Sequence, residues 1–281
     1  MIASFASRSQ VITTQFFSPL TSTARSGTDG VHTFLTFDSR VNASDVEAAA
    51  PGLDYVWGAT AAHIPAYRKG NKDIVLSMYI PFARDPGCTA PADAAIETGV
   101  PPNNLDWWLK NHPDWVMYTC EKKVAYSEGD CNVPLDISNP EVIAWQQKFV
   151  RQAAAAGYDA MACDNFQLDN SFNACGVYRN KKWVQLYSGS GQDPKFNSDV
   201  ITWLANFTRA AHTVQSKQGR PMMVIPNSGG ILPRAAFGPS YENLDGVLDE
   251  EGFTDWGQRL VKEEEFVALV QFVLRNMIFS F

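Results

Sequence analysis

The chain has 281 residues, of which 45% are hydrophobic and 19% are charged, and its formal net charge is −7. This composition is typical of a globular protein that is long enough to bury a large core, so one large domain is expected. The acidic balance and the lack of a Lys/Arg-rich run argue against a nucleic acid partner, since phosphate-binding surfaces are basic. No apolar run is long enough to span a bilayer, so no membrane partner is expected.

The N-terminal segment differs in composition from the rest of the chain. Residues 1–30 are rich in Ser and Thr and contain no apolar segment followed by a cleavage site. We predict that 1–30 is poorly ordered and that 31–281 forms the single folded domain. The segment does not assign a compartment, and an extracellular location is one alternative.

The five cysteines and four histidines lack the spacing of metal ligands, so we expect neither a metal site nor a cofactor. Cys120 and Cys131 bracket a short polar segment and could form a disulfide. The odd number of cysteines leaves at least one thiol. The isolated histidines also disfavour a histidine-based catalytic triad.

Short apolar runs rich in β-forming residues alternate along the chain with polar or helix-patterned stretches, which is typical of βα units around a parallel sheet. Six strands are predicted, at 32–38, 53–57, 73–79, 158–163, 221–227 and 244–248. Two long connections, 81–140 and 166–198, separate some of these units. Connections of that length usually build a site.

Three helices have clear sequence signals. A polar cap at Ser138 and Asn139, followed by Pro140, predicts a helix that ends at Gly157. Two further helices are predicted over about 199–217 and 258–275 from their patterning. The alternation of strands and helices therefore places the chain in the α/β class.

The ends of the strands favour a closed barrel over an open doubly wound sheet. No Gly-rich phosphate loop follows the first strand, as a dinucleotide-binding sheet would require. Polar residues instead follow five strands, namely Asp38, Tyr79, Asp164, Asn227 and Glu250. In a barrel these positions surround one mouth, where barrel enzymes carry their active sites. Six strands do not close an eight-stranded barrel, so we predict a (β/α)8 TIM-barrel type that lacks the last one or two βα units.

Strands four and six have matching sequences. Each begins with an Asp, Asp159 or Asp245, which is followed by a small residue and, five positions after the Asp, by an acid. Because side chains alternate between the two faces of a strand, Asp164 and Glu250 should both point into the mouth. The same alternation directs Asp249 and Glu251 away from it, toward the helix layer or loops. The two strands therefore predict a pair of carboxylates facing one pocket.

Two carboxylates are what glycoside hydrolysis requires, because one protonates the leaving oxygen and the other attacks the sugar or activates water. Asn165 is a potential donor beside Asp164, which suits Asp164 as nucleophile or base. Asp249 and Glu251 are expected to raise the pKa of Glu250, which suits a general acid.

Eight further residues are candidates for substrate binding: Asp38, Trp57, Tyr79, Tyr118, Asp136, Asn165, Asn227 and Glu251. Packing or loop anchoring is the simpler interpretation for Trp57, Tyr79 and Tyr118, and Asn227 is the best of that group as a ligand. A turn or helix cap is the simpler interpretation for Asp136. A structural role for Asp38 is about as plausible as binding of a substrate hydroxyl.

Four segments, in this order, carry a family resemblance: His112-Pro-Asp-Trp115, Leu135-Asp-Ile-Ser-Asn-Pro140, Gly157-Tyr-Asp-Ala-Met-Ala-Cys-Asp-Asn165 and Leu244-Asp-Gly-Val-Leu-Asp-Glu250. They resemble TIM-barrel glycoside hydrolases and are similar to the endo-α-1,4-polygalactosaminidase group and to hypothetical bacterial glycosyl hydrolases. The resemblance implies a carbohydrate substrate. It also implies that the acid after strand four and the glutamate after strand six, here Asp164 and Glu250, form the catalytic pair.

Two alternatives remain open at the level of sequence. The first is a non-catalytic carbohydrate-binding barrel that keeps an aromatic cleft but has lost turnover. The second is a metal-dependent hydrolase in which Asp38, Asp164 and Glu250 supply oxygen ligands to a hard cation.

Overall fold

The computed structural model describes residues 34–36, 38, 41–82, 84–85, 105–126, 133–227, 244–248, 254–255, 259–260, 262–264 and 267. The predicted N-terminal segment 1–30 lies outside the described residues. Among the helices that are described, none combines the length and the apolar character needed to cross a membrane.

A parallel five-stranded sheet forms the centre of the fold, with neighbouring strands in the order β1-β2-β3-β6-β9. Its members are β1 (Phe34–Thr36), β2 (Tyr55–Trp57), β3 (Val75–Pro81), β6 (Ala160–Asp164) and β9 (Met223–Val224). Each neighbouring pair is parallel. The sixth predicted strand also joins this sheet, because Leu248 forms a parallel bridge with Asn227. The parallel α/β architecture predicted from the sequence is thereby confirmed.

Helices accompany the strands along the chain: α1 (Ala43–Ala49), α2 (Ile64–Gly70), α3 (Leu105–Asn111), α4 (Pro140–Ala156) and α5 (Pro194–His212). Two 3₁₀ turns, Ala50–Gly52 and Ala61–His63, lie beside α1 and α2. The prediction for α4 is confirmed at both ends. The Asn139 side chain accepts a hydrogen bond from the Glu141 N–H, and Gly157 closes the helix in the left-handed conformation at φ 110°.

The prediction for α5 is wrong by five residues at each end, since the helix occupies Pro194–His212 rather than 199–217. Asp193 is the N-cap, and its carboxylate accepts hydrogen bonds from the N–H groups of Lys195 and Phe196. An Asp cap followed by Pro at the first helical position is a strong start signal. The polar residues 188–193 that precede this cap resemble a loop in sequence, which is why the predicted start lies too late.

The two faces of the sheet have different environments because side chains alternate along each strand. One face packs against the helices in the largest buried cluster, which includes Val56, Leu76, Met161, Val224, Val150 and Trp203. The other face forms a separate buried cluster of Tyr55, Trp57, Ala160, Ala162, Ile225 and Leu248. Asp164 therefore has the same parity as Ala160 and Ala162, on the face opposite the helices.

The two long connections contain short antiparallel sheets. In one of them, β4 (Arg84–Asp85) pairs with β5 (Val133–Pro134). In the other, β7 (Gly176–Arg179) pairs with β8 (Lys182–Gln185) in a hairpin within the segment predicted as a loop. Tyr118 forms an antiparallel bridge with Gly176. The two connections are therefore joined in one layer.

The disulfide prediction is wrong, because Cys120 bonds to Cys175, 55 residues away, and not to Cys131. The bridge between Tyr118 and Gly176 brings the two sulfurs together, and this pairing between distant segments is not visible in the spacing of the cysteines. Cys131 lies outside the described residues.

The prediction of a last helix over 258–275 is wrong at its start. Arg259–Leu260 forms strand β11, which pairs antiparallel with β10 (Thr254–Asp255). Helical conformation is described for Glu263, Glu264 and Val267. The remainder of that prediction lies outside the described residues.

Candidate active site at the carboxyl edge of the sheet

Asp164 is the last residue of β6, and its side chain is partly exposed. Four donors reach its carboxylate. Asn165 donates from its backbone N–H to Oδ1 at 2.8 Å and from Nδ2 to Oδ2 at 3.1 Å. The Tyr79 hydroxyl donates to Oδ2 at 2.9 Å, and Asn227 Nδ2 donates to Oδ1 at 3.0 Å. All four donors are neutral groups, so they fix the orientation of the carboxylate without adding a positive charge.

Asn165 makes both of its contacts because the chain turns sharply directly after the strand. Its φ is 52°, in the left-handed region that Asn tolerates better than most residues. This conformation places its backbone N–H and its side-chain amide beside Asp164 at the same time. Asn165 was predicted to be a donor to Asp164, and the geometry agrees with that interpretation.

Tyr79 and Asn227 flank Asp164 from the two neighbouring strands. Packing or anchoring was the simpler interpretation of both residues from the sequence, but their polar groups contact the carboxylate directly. The Tyr79 ring also packs edge-on against Trp57, with centroids 5.7 Å apart. Trp57 itself is buried and donates its Nε1–H to the Ile225 carbonyl at 3.1 Å. The structure thus gives Trp57 a packing role beneath the carboxylate site.

The buried Cys163 thiol precedes Asp164 and lies on the opposite, helix-facing side of the sheet. Burial, and secondarily the charge of Asp164, raise the pKa of this thiol. A protonated, buried thiol is a poor nucleophile. Asp164, and not Cys163, is therefore the accessible acidic group at the end of this strand.

Asp38 follows β1 and hydrogen-bonds to the connection between β2 and α2. It is fully buried, and its carboxylate accepts hydrogen bonds from the Thr60 N–H at 2.7 Å and from His63 Nδ1 at 3.0 Å. After burial itself, the charge of Asp38 contributes to raising the pKa of Tyr67 and Tyr158. Both carboxylate oxygens already have a protein partner, and a contact between Asp38 and substrate stays a prediction.

Asp136 and Tyr118 belong to the layer formed by the two connections. Asp136 is buried, accepts from the Ser138 hydroxyl at 2.6 Å and from its N–H at 3.0 Å, and pairs with Arg179 at 3.2 Å. These contacts are those of a turn residue that also holds the β7–β8 hairpin. Tyr118 packs edge-on against Tyr178, with ring centroids 5.1 Å apart.

Asp159 and Asp245, the strand-start acids that aligned in the sequence, have a structural role. Asp159 pairs with Arg68 of α2, and Asp245 pairs with His212 of α5 at 2.9 Å. Each also accepts a hydrogen bond from a backbone N–H of the neighbouring strand. The match between the sequences of the two strands points to both acids, but only the fold shows which helix residues pair with them.

Glu250 and Glu251 lie outside the described residues, as does Asp249. Among the residues that are described, no group of three or more His, Cys, Asp or Glu side chains is arranged to hold a metal ion.

No protein-family model and no curated protein matches the chain. Among solved structures it is similar to the glycoside hydrolase domain of PelA from Pseudomonas aeruginosa, at 14% identity and a TM-score of 0.49 over 87% of this chain and 79% of that one. It is also similar to Ega3 from Aspergillus fumigatus, in complex with galactosamine, at 12% identity and a TM-score of 0.42 over 87% of this chain and 69% of the other.

A Family GH13_31 enzyme is similar at 11% identity and a TM-score of 0.50 over 88% of this chain. This chain corresponds to 57% of that enzyme's length. The likeness shows that the two chains share a fold. The finer resemblance to the polygalactosaminidase group stays a prediction.

Proposed function

We propose that this chain is a glycoside hydrolase that cleaves a glycosidic bond in a polysaccharide or oligosaccharide, with Asp164 and Glu250 as its paired carboxylates. The fold shared with a glycoside hydrolase is consistent with the class. The residue assignment has separate support from β6 and the strand at 244–248. A matched set of hydrogen bonds gives each of these strands the same register against its neighbour.

The matched hydrogen bonds lie at the starts of the two strands. The Asp159 N–H donates to the Leu76 carbonyl at 2.7 Å, and the Leu76 N–H donates back to Asp159 Oδ2 at 3.0 Å. The Asp245 N–H donates to the Val224 carbonyl at 3.2 Å, and the Val224 N–H donates back to Asp245 Oδ2 at 2.8 Å. The two aspartates therefore occupy equivalent positions.

The equivalence continues along both strands. On β6, Ala162 lies three residues after Asp159 and pairs with Tyr79 of β3. On the strand at 244–248, Leu248 lies three residues after Asp245 and pairs with Asn227. Ala162 and Leu248 also lie in the same buried cluster on the face opposite the helices. The register is thus the same up to two residues before the candidate acids.

Side chains two residues apart on a strand share a face, which supports Asp164 and Glu250 as equivalent positions on one face of the sheet. The segment 223–227 separates their strands. For a strand that keeps its register as far as position 250, two strand spacings of about 4.8 Å predict backbones about 10 Å apart. Side chains that lean toward each other from this distance can reach the separation of about 5–9.5 Å found between glycosidase carboxyls.

The donors around Asp164 suit a nucleophile or base, because they fix both oxygens and leave the carboxylate partly exposed. Glu250, between two acids in the sequence, suits the general acid that protonates the leaving oxygen. Tyr79 and Asn227 act as positioning residues for Asp164. The reaction then requires only water, the glycosidic bond and the two carboxyl groups.

The proposal is tested by measuring reducing-sugar release from a panel of α- and β-linked polysaccharides. We expect Asp164→Asn and Glu250→Gln each to lower the rate by about 10²–10⁴-fold, since each removes one acid or base. Asp249→Asn is the matched control, because alternation directs Asp249 away from the mouth, and its rate should stay within about twofold. Equal losses in Asp249→Asn and Glu250→Gln would contradict the assignment.

A further inference from the structure

We propose that the outward face of the β7–β8 hairpin binds an acidic glycan, with aromatic rings stacking on the sugars and lysines pairing with their carboxylates. This inference rests on the proposed function, to which it adds a substrate class. The hairpin follows β6 along the chain and is joined to the other connection by the Cys120–Cys175 disulfide.

The hairpin has one core-facing side and one aromatic side. Val177 is fully buried and Val184 packs against the same helix-side cluster. Their neighbours along the strands, Tyr178 and Trp183, pair directly with each other and are half-buried. Since side chains alternate on a strand, Tyr178 and Trp183 lie on the side away from that core.

Three rings pack against one another edge to face on the aromatic side, at interplanar angles of 65° between Tyr178 and Trp183 and 86° between Tyr118 and Tyr178. The Tyr178 and Trp183 centroids are 5.5 Å apart, and the Tyr118 and Tyr178 centroids are 5.1 Å apart. Gly176 makes room for this arrangement, because a Cβ at that position would approach the Trp183 ring to 2.8 Å. Sugar rings present C–H faces to aromatic rings of this kind, whose faces carry partial negative charge.

Positive charge is concentrated around these rings. Lys122 Nζ lies 5.8 Å from the centroid of the Trp183 ring. Among the described residues of 118–126 and 176–185, Lys123 and Lys181 are also exposed, and Glu121 is the one exposed acid. Lys182 is exposed as well, but alternation places it on the side of Val184. Arg179 is excluded from this count, because Asp136 neutralises it.

The local excess of cations opposes the chain's overall net charge of −7. Charges more than about 10 Å apart are largely screened at 0.1 M salt, so a ligand at the hairpin experiences the lysines more than the distant acids. An anionic sugar polymer fits this combination of rings and ammonium groups. A neutral glycan would use the rings alone, and a cationic one would be repelled.

Two of the lysines occupy strained backbone positions. Lys122 has φ 63° and Lys181 has φ 64°, in the left-handed region that favours glycine. Lys181 follows Asn180 in the two-residue turn of the hairpin, where Asn-Gly is the preferred sequence. Replacing either lysine by glycine therefore removes a charge and relieves backbone strain together. Loss of the charge should weaken binding of the acidic glycan, whereas relief of the strain should stabilise the folded chain.

The test uses the full chain and polygalacturonate as the acidic probe, with dextran as a neutral polymer and chitosan as a cationic one. We expect polygalacturonate to bind more tightly than either, and its affinity to fall as salt rises. Lys122→Gly and Lys181→Gly should each weaken that binding at least threefold while leaving the thermal midpoint unchanged or higher. Trp183→Ala should weaken it further.

Trp107→Ala is the matched control, because Trp107 is an exposed Trp, 39% accessible, on α3 and away from the hairpin in sequence. Its binding should be unchanged. Equal affinity for dextran, or unchanged binding in both lysine variants, would overturn the inference. Equally tight binding of oligo-dT would overturn it in favour of a nucleic acid site.

Failure of the proposed glycan-binding site on the hairpin is distinguishable from failure of the proposed glycoside hydrolase function. If the panel assay shows hydrolysis that is lost in Asp164→Asn but the lysine variants bind normally, the carboxylate assignment stands and the hairpin site does not. If polygalacturonate binds through the lysines but no glycan is hydrolysed, the hairpin site stands and the proposed function does not.

Discussion

The two ends of β6 use the same kind of side chain in different ways. At the start of the strand, the Asp159 carboxylate is 1% exposed and pairs with the Arg68 guanidinium. Five residues later, at the end of the strand, Asp164 is partly exposed and accepts hydrogen bonds from neutral donors of Tyr79, Asn165 and Asn227. The first carboxylate is paired with a cation in the core, and the second is held by neutral donors at the surface of the site.

This contrast indicates how the sheet separates stability from chemistry. A cation beside a buried carboxylate compensates for the loss of hydration, but it also makes that carboxylate a weaker base. Neutral donors fix a carboxylate in place with less effect on its charge. The amino edge of the sheet therefore carries acids that hold the fold, and we propose that the carboxyl edge carries the acid that reacts.

The largest expected effect is on stability, at the amino edge. Asp159→Asn should lower the free energy of unfolding by about 3–5 kcal/mol, because it leaves the Arg68 guanidinium without its buried partner. Urea unfolding measures the change. Glu47→Gln is the control, because the Lys69–Glu47 pair is exposed and pairs of that kind contribute little. A loss as large in Glu47→Gln would remove the contrast between buried and exposed pairs.

The next effect is on catalysis, at the carboxyl edge. Tyr79→Phe removes one hydrogen bond to the Asp164 carboxylate and keeps the ring that packs on Trp57. A hydrogen bond to a charged group contributes about 1.5–3 kcal/mol, so hydrolysis should slow by roughly 10–100-fold. The loss should appear in kcat, with KM little changed, if Tyr79 positions Asp164 without touching substrate. A rise in KM at constant kcat would instead identify Tyr79 as a substrate contact.

The smallest effect is a pH dependence at the second strand-start acid. The hydrogen bond that His212 Nε2 donates to the Asp245 carboxylate is the main reason why the pKa of His212 is raised, and burial partly opposes it. A raised pKa means that the protonated pair stabilises the folded state below pH about 6.5 and that this contribution is lost as pH rises through the folded pKa. Because His212 is about a third exposed, at 34%, the effect should stay below about 1 kcal/mol.

Urea midpoints of the parent chain and His212→Gln, taken from pH 5 to pH 8, test this expectation. The gap between the two chains should be widest at pH 5 and should narrow toward pH 8. A constant gap would mean that the His212 contribution comes from packing or from a hydrogen bond that does not depend on its charge.

Much of the parallel sheet could be predicted from sequence because its strands alternate between two buried faces. Asp164 follows Ala160 and Ala162 at spacings of two, so its face was predictable without any long-range information. The contacts of Tyr79 and Asn227 were not, because they depend on the relative register of three strands. That register is set by pairing between segments 63–85 residues apart.

The connections between strands were harder to predict. The β7–β8 hairpin turns at Asn180-Lys181, where Lys replaces the Gly that normally marks such a turn. The partner of Cys120 depends on the bridge between Tyr118 and Gly176, which local spacing does not reveal. Both features follow from tertiary packing that overrides local sequence preference.

The central claim is that Asp164 serves chemistry while Asp159 serves stability, and one paired measurement tests it directly. Hydrolysis rate and free energy of unfolding are measured for Asp164→Asn and Asp159→Asn in parallel. The account predicts that Asp164→Asn loses hydrolysis by about 10²–10⁴-fold with an unfolding free energy within about 1 kcal/mol of the parent. It predicts that Asp159→Asn loses stability and, at a temperature where it is folded, still hydrolyses the substrate. Full hydrolysis by folded Asp164→Asn would contradict the account.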